Sequence, residues 1–116
     1  MYVSDRRESP LFVKTEGFIV WLFQHTAKFP RQYRHTLTER LERSALDFQR
    51  CLAECLILRR VEALERADLE LWQIRRLLRI ANALNILPAR LLEHTSEVTA
   101  ELGRLLGAWR RKGTGT

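Results

Sequence analysis

Helix-breaking residues are scarce in this sequence of 116 residues, which has three prolines and five glycines. Proline inside a helix removes a backbone hydrogen bond, and glycine costs about 1 kcal/mol relative to alanine. A chain short of both, with 46% apolar residues, favours long helices over strands and turns. Its length is sufficient for one domain with its own core. We therefore expect a single all-α domain.

The sequence also lacks the short motifs that accompany common catalytic and ligand sites. It contains no glycine-rich phosphate loop, no His-x-x-x-His pair, no nucleophile with a nearby base and no clustered carboxylate pair. Glu93 and His94 are the nearest approach to an acid–base pair, but neighbouring residues on a helix do not face each other. We predict that the protein is not an enzyme and binds no cofactor.

Cysteine is rare as well, and the two present are four residues apart within a helical pattern. Cys51 and Cys55 fall on the apolar side of that pattern, where a thiol packs as a small hydrophobic group. Zinc would need two further ligands, and the three histidines show no ligand spacing relative to this pair. We predict reduced, buried thiols and no metal site.

No apolar run is long enough to span a bilayer. The longest near the N-terminus, at 18–23, is far short of the roughly 20 residues that a transmembrane helix needs. The first ten residues also lack the layout of a signal peptide. These absences predict a soluble, cytoplasmic protein with no membrane partner.

Positive charge, by contrast, is abundant and almost entirely arginine. Lys and Arg total 20 against 14 acids, giving a net charge of +6, and 17 of the 20 are Arg. The planar guanidinium suits phosphate, although a GC-rich genome or a thermophilic host also favours arginine. Charge alone leaves open both an ordinary solvated surface and a nucleic-acid partner.

Apolar residues recur at spacings of three and four in four segments, each with one apolar stripe. Ser9 and Pro10 suit a helix start, Thr36 and Thr38 are candidate caps for the second helix, and Pro88 suits the first turn of the fourth. The predicted helices span about 11–28, 35–60, 67–87 and 89–111. Short connections predict an antiparallel up-down four-helix bundle at 11–112, between a flexible arm at 1–10 and a flexible tail at 113–116.

The boundary between the second and third predicted helices has no glycine or proline. A turn between Arg59 and Ala67 would give four helices. One very long helix across this region is the alternative.

The third predicted helix is apolar on more than one side. Leu69, Trp72, Ile80 and Leu87 lie off its main stripe, and a helix apolar on two sides is usually covered on both. We predict that these four residues meet another copy of the protein. Scattered exposed apolar residues, which are normal on any surface, are the alternative.

Arginines on the third helix and glutamates on the fourth have two interpretations. Arg75, Arg76 and Arg79 are spread over one polar arc, where they could bind phosphate. Glu93, Glu97 and Glu101 repeat at spacings of four, where like charges repel unless a cation is near. Either Arg104 or the three arginines could supply that cation.

Several segments, in order along the chain, resemble the accessory variability determinant (Avd) proteins of diversity-generating retroelements. These belong to a broader group of four-helix-bundle proteins that includes those encoded in ribosomal-RNA intervening sequences. The matching segments are Phe-Pro-Arg-Gln-Tyr-Arg-His-Thr-Leu at 29–37, Ala-Asp-Leu-Glu at 67–70, Leu-Leu-Arg at 77–79 and Gly-Arg-Leu-Leu-Gly-Ala-Trp at 103–109. The resemblance covers about 18–112, nearly the whole chain.

This resemblance implies a bundle that assembles into a barrel-like homopentamer. It also implies binding to the retroelement's reverse transcriptase and to template RNA or the derived DNA, in support of mutagenic retrohoming into a variable gene. A protein of the intervening-sequence type, with an unspecified interaction role, is the alternative. By charge and placement, the residues predicted to contact phosphate are Arg31, Arg34, Arg40, Arg43, Arg50, Arg75, Arg76, Arg79, Arg110, Arg111 and Lys112.

Overall fold

Four long helices dominate the computed structural model, which describes residues 9–112. They are α1 (Pro10–Thr26), α2 (Glu39–Leu58), α3 (Ala63–Ala83) and α4 (Ala89–Lys112). Each helix packs on the next, and α4 also packs on α1. With short connections, this contact pattern produces an up-down bundle measuring 45 × 24 × 22 Å. The all-α four-helix prediction is confirmed, and no strand occurs within 9–112.

The core is formed by the apolar stripes that the sequence shows. All four helices contribute side chains that are essentially inaccessible to water. The largest of these are Leu11, Leu22, Leu41, Phe48, Leu52, Leu64, Ile74, Leu78, Leu102 and Leu106. Burial of such side chains contributes roughly 1.5–3 kcal/mol each, so packing of these stripes is the main force that holds the helices together.

Helix α1 begins as its sequence predicts. The Ser9 hydroxyl accepts a hydrogen bond from the Phe12 backbone N–H at 3.4 Å, and Pro10 occupies the first helical position. Proline is tolerated there because that N–H has no intrahelical acceptor. The predicted arm and tail lie largely outside the described residues.

The start of α2 differs from the prediction. Instead of entering α2 at residue 35, the chain forms a 3₁₀ turn at Arg31–Tyr33 and a π-helical turn at Arg34–Thr38. Thr38 occupies the N-cap position of α2, as predicted, but its side chain makes no capping hydrogen bond, and the Thr36 hydroxyl donates to the Tyr33 carbonyl instead. Residues 31–38 already wind helically, and α2 therefore has no free first turn for a threonine to cap.

A left-handed residue separates α2 from α3. Arg59 has φ of 59°, and the Arg60 N–H donates to the Glu54 carbonyl at 3.3 Å, closing the end of α2. The predicted turn is therefore present and the single long helix is excluded. Helix α3 begins at Ala63, four residues before the predicted start.

The connection from α3 to α4 corrects two further predictions. The third helix was predicted to run to residue 87, but α3 ends at Ala83 and Asn85 is an exposed left-handed residue with φ of 62°. The Asn82 side-chain amide donates to the Leu87 carbonyl at 2.9 Å and holds the loop closed. Leu87 turns into the core, where it is 2% exposed, so its predicted place at a contact between copies is wrong. Helical spacing predicts which side a residue faces only within the helix, and Leu87 lies beyond the end of α3.

Candidate nucleic-acid and subunit interfaces

A groove of about 230 Å³, which we name the arginine groove, lies between α3 and α4, with arginines along its α3 wall. Helical spacing places Arg75 and Arg79 one turn apart on that wall, and Arg76 lies beside them. All three are exposed. The groove is lined by Trp72, Arg75, Arg76, Leu78, Arg79, Leu92, Thr95, Ser96 and Thr99.

No carboxylate within 9–112 forms an ion pair with the three arginines of this groove. The cations that neutralise Glu101 are instead Lys14, at 3.9 Å, and Arg104. The interpretation of Arg75, Arg76 and Arg79 as counter-ions of the α4 glutamates therefore has no support in the structure. Their guanidinium groups face solvent and can bind an external anion.

An exposed indole accompanies these charges. The Trp72 ring is 57% exposed, and the Arg76 guanidinium lies 5.8 Å from its centre. Of the groove hydroxyls, Thr99 donates to the Thr95 carbonyl at 2.7 Å and Thr95 donates to the Leu92 carbonyl at 2.8 Å. Both threonine hydroxyls therefore donate to backbone carbonyls of α4 itself, and Ser96 is the groove residue whose hydroxyl is exposed. The groove thus offers guanidinium groups of the kind that pair with phosphate oxygens.

Three of the other predicted phosphate contacts are already paired with carboxylates. Arg43 pairs with Glu39 at 3.2 Å, as its i,i+4 spacing predicts, Arg50 pairs with Glu54 at 3.6 Å, and Arg110 pairs with Asp68 at 3.1 Å. A guanidinium that is already paired gains less from a phosphate. These three residues are weaker candidates than those of the groove.

The remaining predicted contacts are exposed and form no ion pair within the described part of the chain. They do not form one patch with the groove. The up-down topology places Arg31 and Arg34 at the end of the bundle where α1 meets α2, and Arg111 and Lys112 at the opposite end. Arg40 lies in the first turn of α2. The positive charge is therefore divided among separate sites.

Three of the four residues predicted to meet another copy are exposed on α3. Leu69, Trp72 and Ile80 are 63%, 57% and 48% exposed and lie on the outward side of α3. Leu84 extends this surface past the end of the helix, at 44% exposed. We name Leu69, Trp72 and Ile80 the α3 stripe. It is free for a partner to cover.

A second groove, between α1 and α4, was missed from the sequence. It has a volume of about 430 Å³ and is lined by Lys14, Gly17, Phe18, Trp21, His94, Glu97, Val98 and Glu101. The Trp21 ring stacks on His25 at 3.9 Å and lies 5.2 Å from His94. The i,i+4 spacing of Gly17 and Trp21 could have revealed this second side of α1. We name this surface the α1/α4 groove.

The two thiols and the three histidines do not gather in one place among residues 9–112. No group of three or more His, Cys, Asp or Glu within 9–112 is placed to hold a metal ion. Burial raises the pKa of the Cys51 thiol, an effect that the nearby Arg66 partly opposes. His25 is half-buried, and its Nδ1 lies 2.8 Å from the Trp21 carbonyl oxygen, a hydrogen bond within α1.

Among the described helices, none combines the length and the apolar character that crossing a bilayer requires. Comparison with curated proteins and with solved structures gave no match. A family model does match, and it covers nearly all of the four-helix bundle. That model is described as bAvd-like and matches residues 11–113, so the chain belongs to the bAvd-like family.

Proposed function

We propose that this Avd-type protein is a non-catalytic accessory subunit of a diversity-generating retroelement. In this proposal it binds the element's reverse transcriptase and its template RNA or the derived DNA, and so supports mutagenic retrohoming. The observation that carries the nucleic-acid part is the set of exposed guanidinium groups of Arg75, Arg76 and Arg79, which form no ion pair within 9–112 and line one groove. Family membership supports the retroelement setting.

The groove would bind the nucleic-acid backbone rather than read bases. Guanidinium groups bind phosphate oxygens in pairs of hydrogen bonds. Such contacts position a strand without specifying its sequence. This suits a template whose copied sequence varies. Arg31, Arg34, Arg40, Arg111 and Lys112 are secondary candidates for the same role.

Self-association is the second part of the proposal. Covering the α3 stripe with another copy would bury an exposed tryptophan and two aliphatic side chains, and the family resemblance favours a barrel-like homopentamer. The net charge of +6 per copy would then be multiplied in one particle. An arginine groove that binds weakly alone would gain from several copies acting together.

The substitution Trp72→Glu tests self-association, because a charge at the centre of a covered apolar surface costs several kcal/mol unless it is paired. We expect the wild type to be an oligomer and the variant a monomer by light scattering. Ile57→Glu is the matched control, since Ile57 is exposed to a similar extent, 55%, but lies on α2. An unchanged mass for the Trp72 variant would refute this interface.

Fluorescence anisotropy with a labelled single-stranded RNA tests the nucleic-acid part. We expect the affinity for RNA to fall as the salt concentration rises, and an absence of RNA binding at low salt would refute this part.

For the polymerase part, tagged protein should retain the reverse transcriptase of the same locus after nuclease treatment. An adjacent reverse-transcriptase gene with a template and variable repeat pair supports the proposal. A position inside a ribosomal-RNA gene favours the intervening-sequence alternative.

A further inference from the structure

The α1/α4 groove has a shape that can receive a large apolar side chain. Its walls include Phe18, Trp21 and Val98, and its volume of about 430 Å³ falls in the range of sites that hold small molecules. Gly17 forms part of the same surface, and a Cβ added there would meet no atom within 4 Å. The absence of a side chain at Gly17 therefore keeps this part of the groove open.

The groove also carries a negative charge that no cation among residues 9–112 neutralises. Glu97 lines it and forms no ion pair within the described part of the chain, whereas Glu101 is paired with Lys14 and Arg104. The α3 stripe carries the opposite charge. Arg76 lies against Trp72 and has no carboxylate partner within 9–112. An apolar ridge with a free cation and an apolar groove with a free anion are complementary.

We infer that the α3 stripe of one copy seats in the α1/α4 groove of the next, with Trp72 in the concavity and Arg76 beside Glu97. This inference rests on the self-association proposed above and names the receiving surface. Because the stripe and the groove are different surfaces of one chain, the contact is head-to-tail, and its repetition closes a ring when the rotation between copies allows it. Each junction would then lie beside one arginine groove.

Gly17→Leu tests the receiving surface without disturbing the subunit. The added side chain enters open space, and leucine is a better helix former than glycine by close to 1 kcal/mol, so the bundle should stay folded by circular dichroism. We expect the filled groove to weaken association at least about tenfold, seen by light scattering over a dilution series. Val20→Leu, on an exposed part of α1 that does not line the groove, is the matched control and should keep the wild-type mass.

A charge exchange tests the pairing itself. Arg76→Glu and Glu97→Arg should each weaken association about tenfold, and the chain carrying both should recover most of the loss, because the pair is restored with its signs reversed. A double variant no better than the weaker single variant overturns the pairing. RNA is left out of these measurements, so that only contact between copies is recorded.

The outcomes separate this inference from the proposal on which it rests. If Trp72→Glu yields monomers while Gly17→Leu keeps the wild-type mass, self-association through α3 stands and the α1/α4 groove is not the receiving surface. If the wild type is a monomer at every concentration, the self-association itself is wrong. If Gly17→Leu and Trp72→Glu both yield folded monomers and the charge exchange restores association, the inference holds.

Discussion

Replacement of Arg75, Arg76 and Arg79 by glutamine should flatten the salt dependence of RNA binding. Each phosphate neutralised on a single strand contributes about 0.7 to the slope of log affinity against log salt concentration, so three contacts contribute about 2. Over the fourfold range from roughly 50 to 200 mM salt, these contacts account for about a 20-fold change in affinity. The variant should therefore lose much of its response to salt, and anisotropy of a labelled uridine-only RNA measures this directly.

The matched control removes three other arginines that the structure shows in ion pairs. The variant carrying Arg43→Gln, Arg50→Gln and Arg110→Gln loses the same three charges from the total of +6. In the wild type, these guanidinium groups face carboxylates at 3.2, 3.6 and 3.1 Å. Because a carboxylate already neutralises each one, its removal should change the slope by less than about 1 unit.

Two results would refute this reasoning. Equal slope changes in the two triple variants would mean that binding follows net charge and does not depend on the groove. An unchanged slope in the groove variant would mean that the groove holds no phosphate. Since Arg76 is also assigned to the contact between copies, the double variant Arg75→Gln and Arg79→Gln isolates the phosphate effect, with an expected slope loss of about 1.4.

Two further predictions concern the fold. Burial raises the pKa of the Cys51 thiol above 9.0, so above that pH the folded protein keeps a proton that the unfolded chain releases, and the free energy of unfolding falls as the pH rises. The urea midpoint should therefore fall less steeply with pH in the Cys51→Ala variant than in the wild type. Equal slopes in the two proteins would contradict the assignment. Arg59→Gly should raise the free energy of unfolding by about 0.5–1 kcal/mol, because arginine is strained at φ of 59°. Asn85→Gly, at φ of 62°, should change it less, since asparagine tolerates this conformation better, and an equal gain at both positions would refute the argument.

Apolar spacing predicted the helices because packing of one stripe per helix is what stabilises this bundle. Leu22, Phe48, Ile74 and Leu102, one from each predicted stripe, are all buried as their periodicity indicates. Helix ends were predicted less well, because they depend on backbone conformations that the residue type does not reveal. Arg59 adopts the left-handed conformation typical of glycine, so the end of α2 carried no recognisable signal.

The candidate site was predictable only as a set of charges. The pair between Arg43 and Glu39 follows from helical spacing, but the pair between Arg110 and Asp68 joins residues 42 positions apart. That second pair depends on how α4 packs against α3, which no local pattern contains. From the sequence alone, Arg110 appears as available to phosphate as Arg79. The structure was therefore needed to separate the cations available to phosphate from those already neutralised.

The α1/α4 groove was missed for a related reason. A groove is formed by two helices, and its α4 residues, including Glu97 and Val98, lie far from Gly17 and Trp21 in sequence. On α1 alone, Gly17 indicates a weakened helix, close backbone packing or a kink, and none of these specifies a groove. Its role as an open part of a surface becomes visible once α4 is packed beside it.

Helix α3 links the fold, the contact between copies and nucleic-acid binding. Its inward side carries Ile74 in the core, its side towards α4 carries Arg75 and Arg79, and its outward side carries Trp72. Since one rigid helix holds all three sets, joining copies through Trp72 would also fix the distances between their arginine grooves. A strand bound in one groove would then meet the next at a constant spacing, and the second contact would form at a high effective concentration. Assembly through α3 would in this way convert a weak, sequence-independent site into a tight one without any change in the site itself.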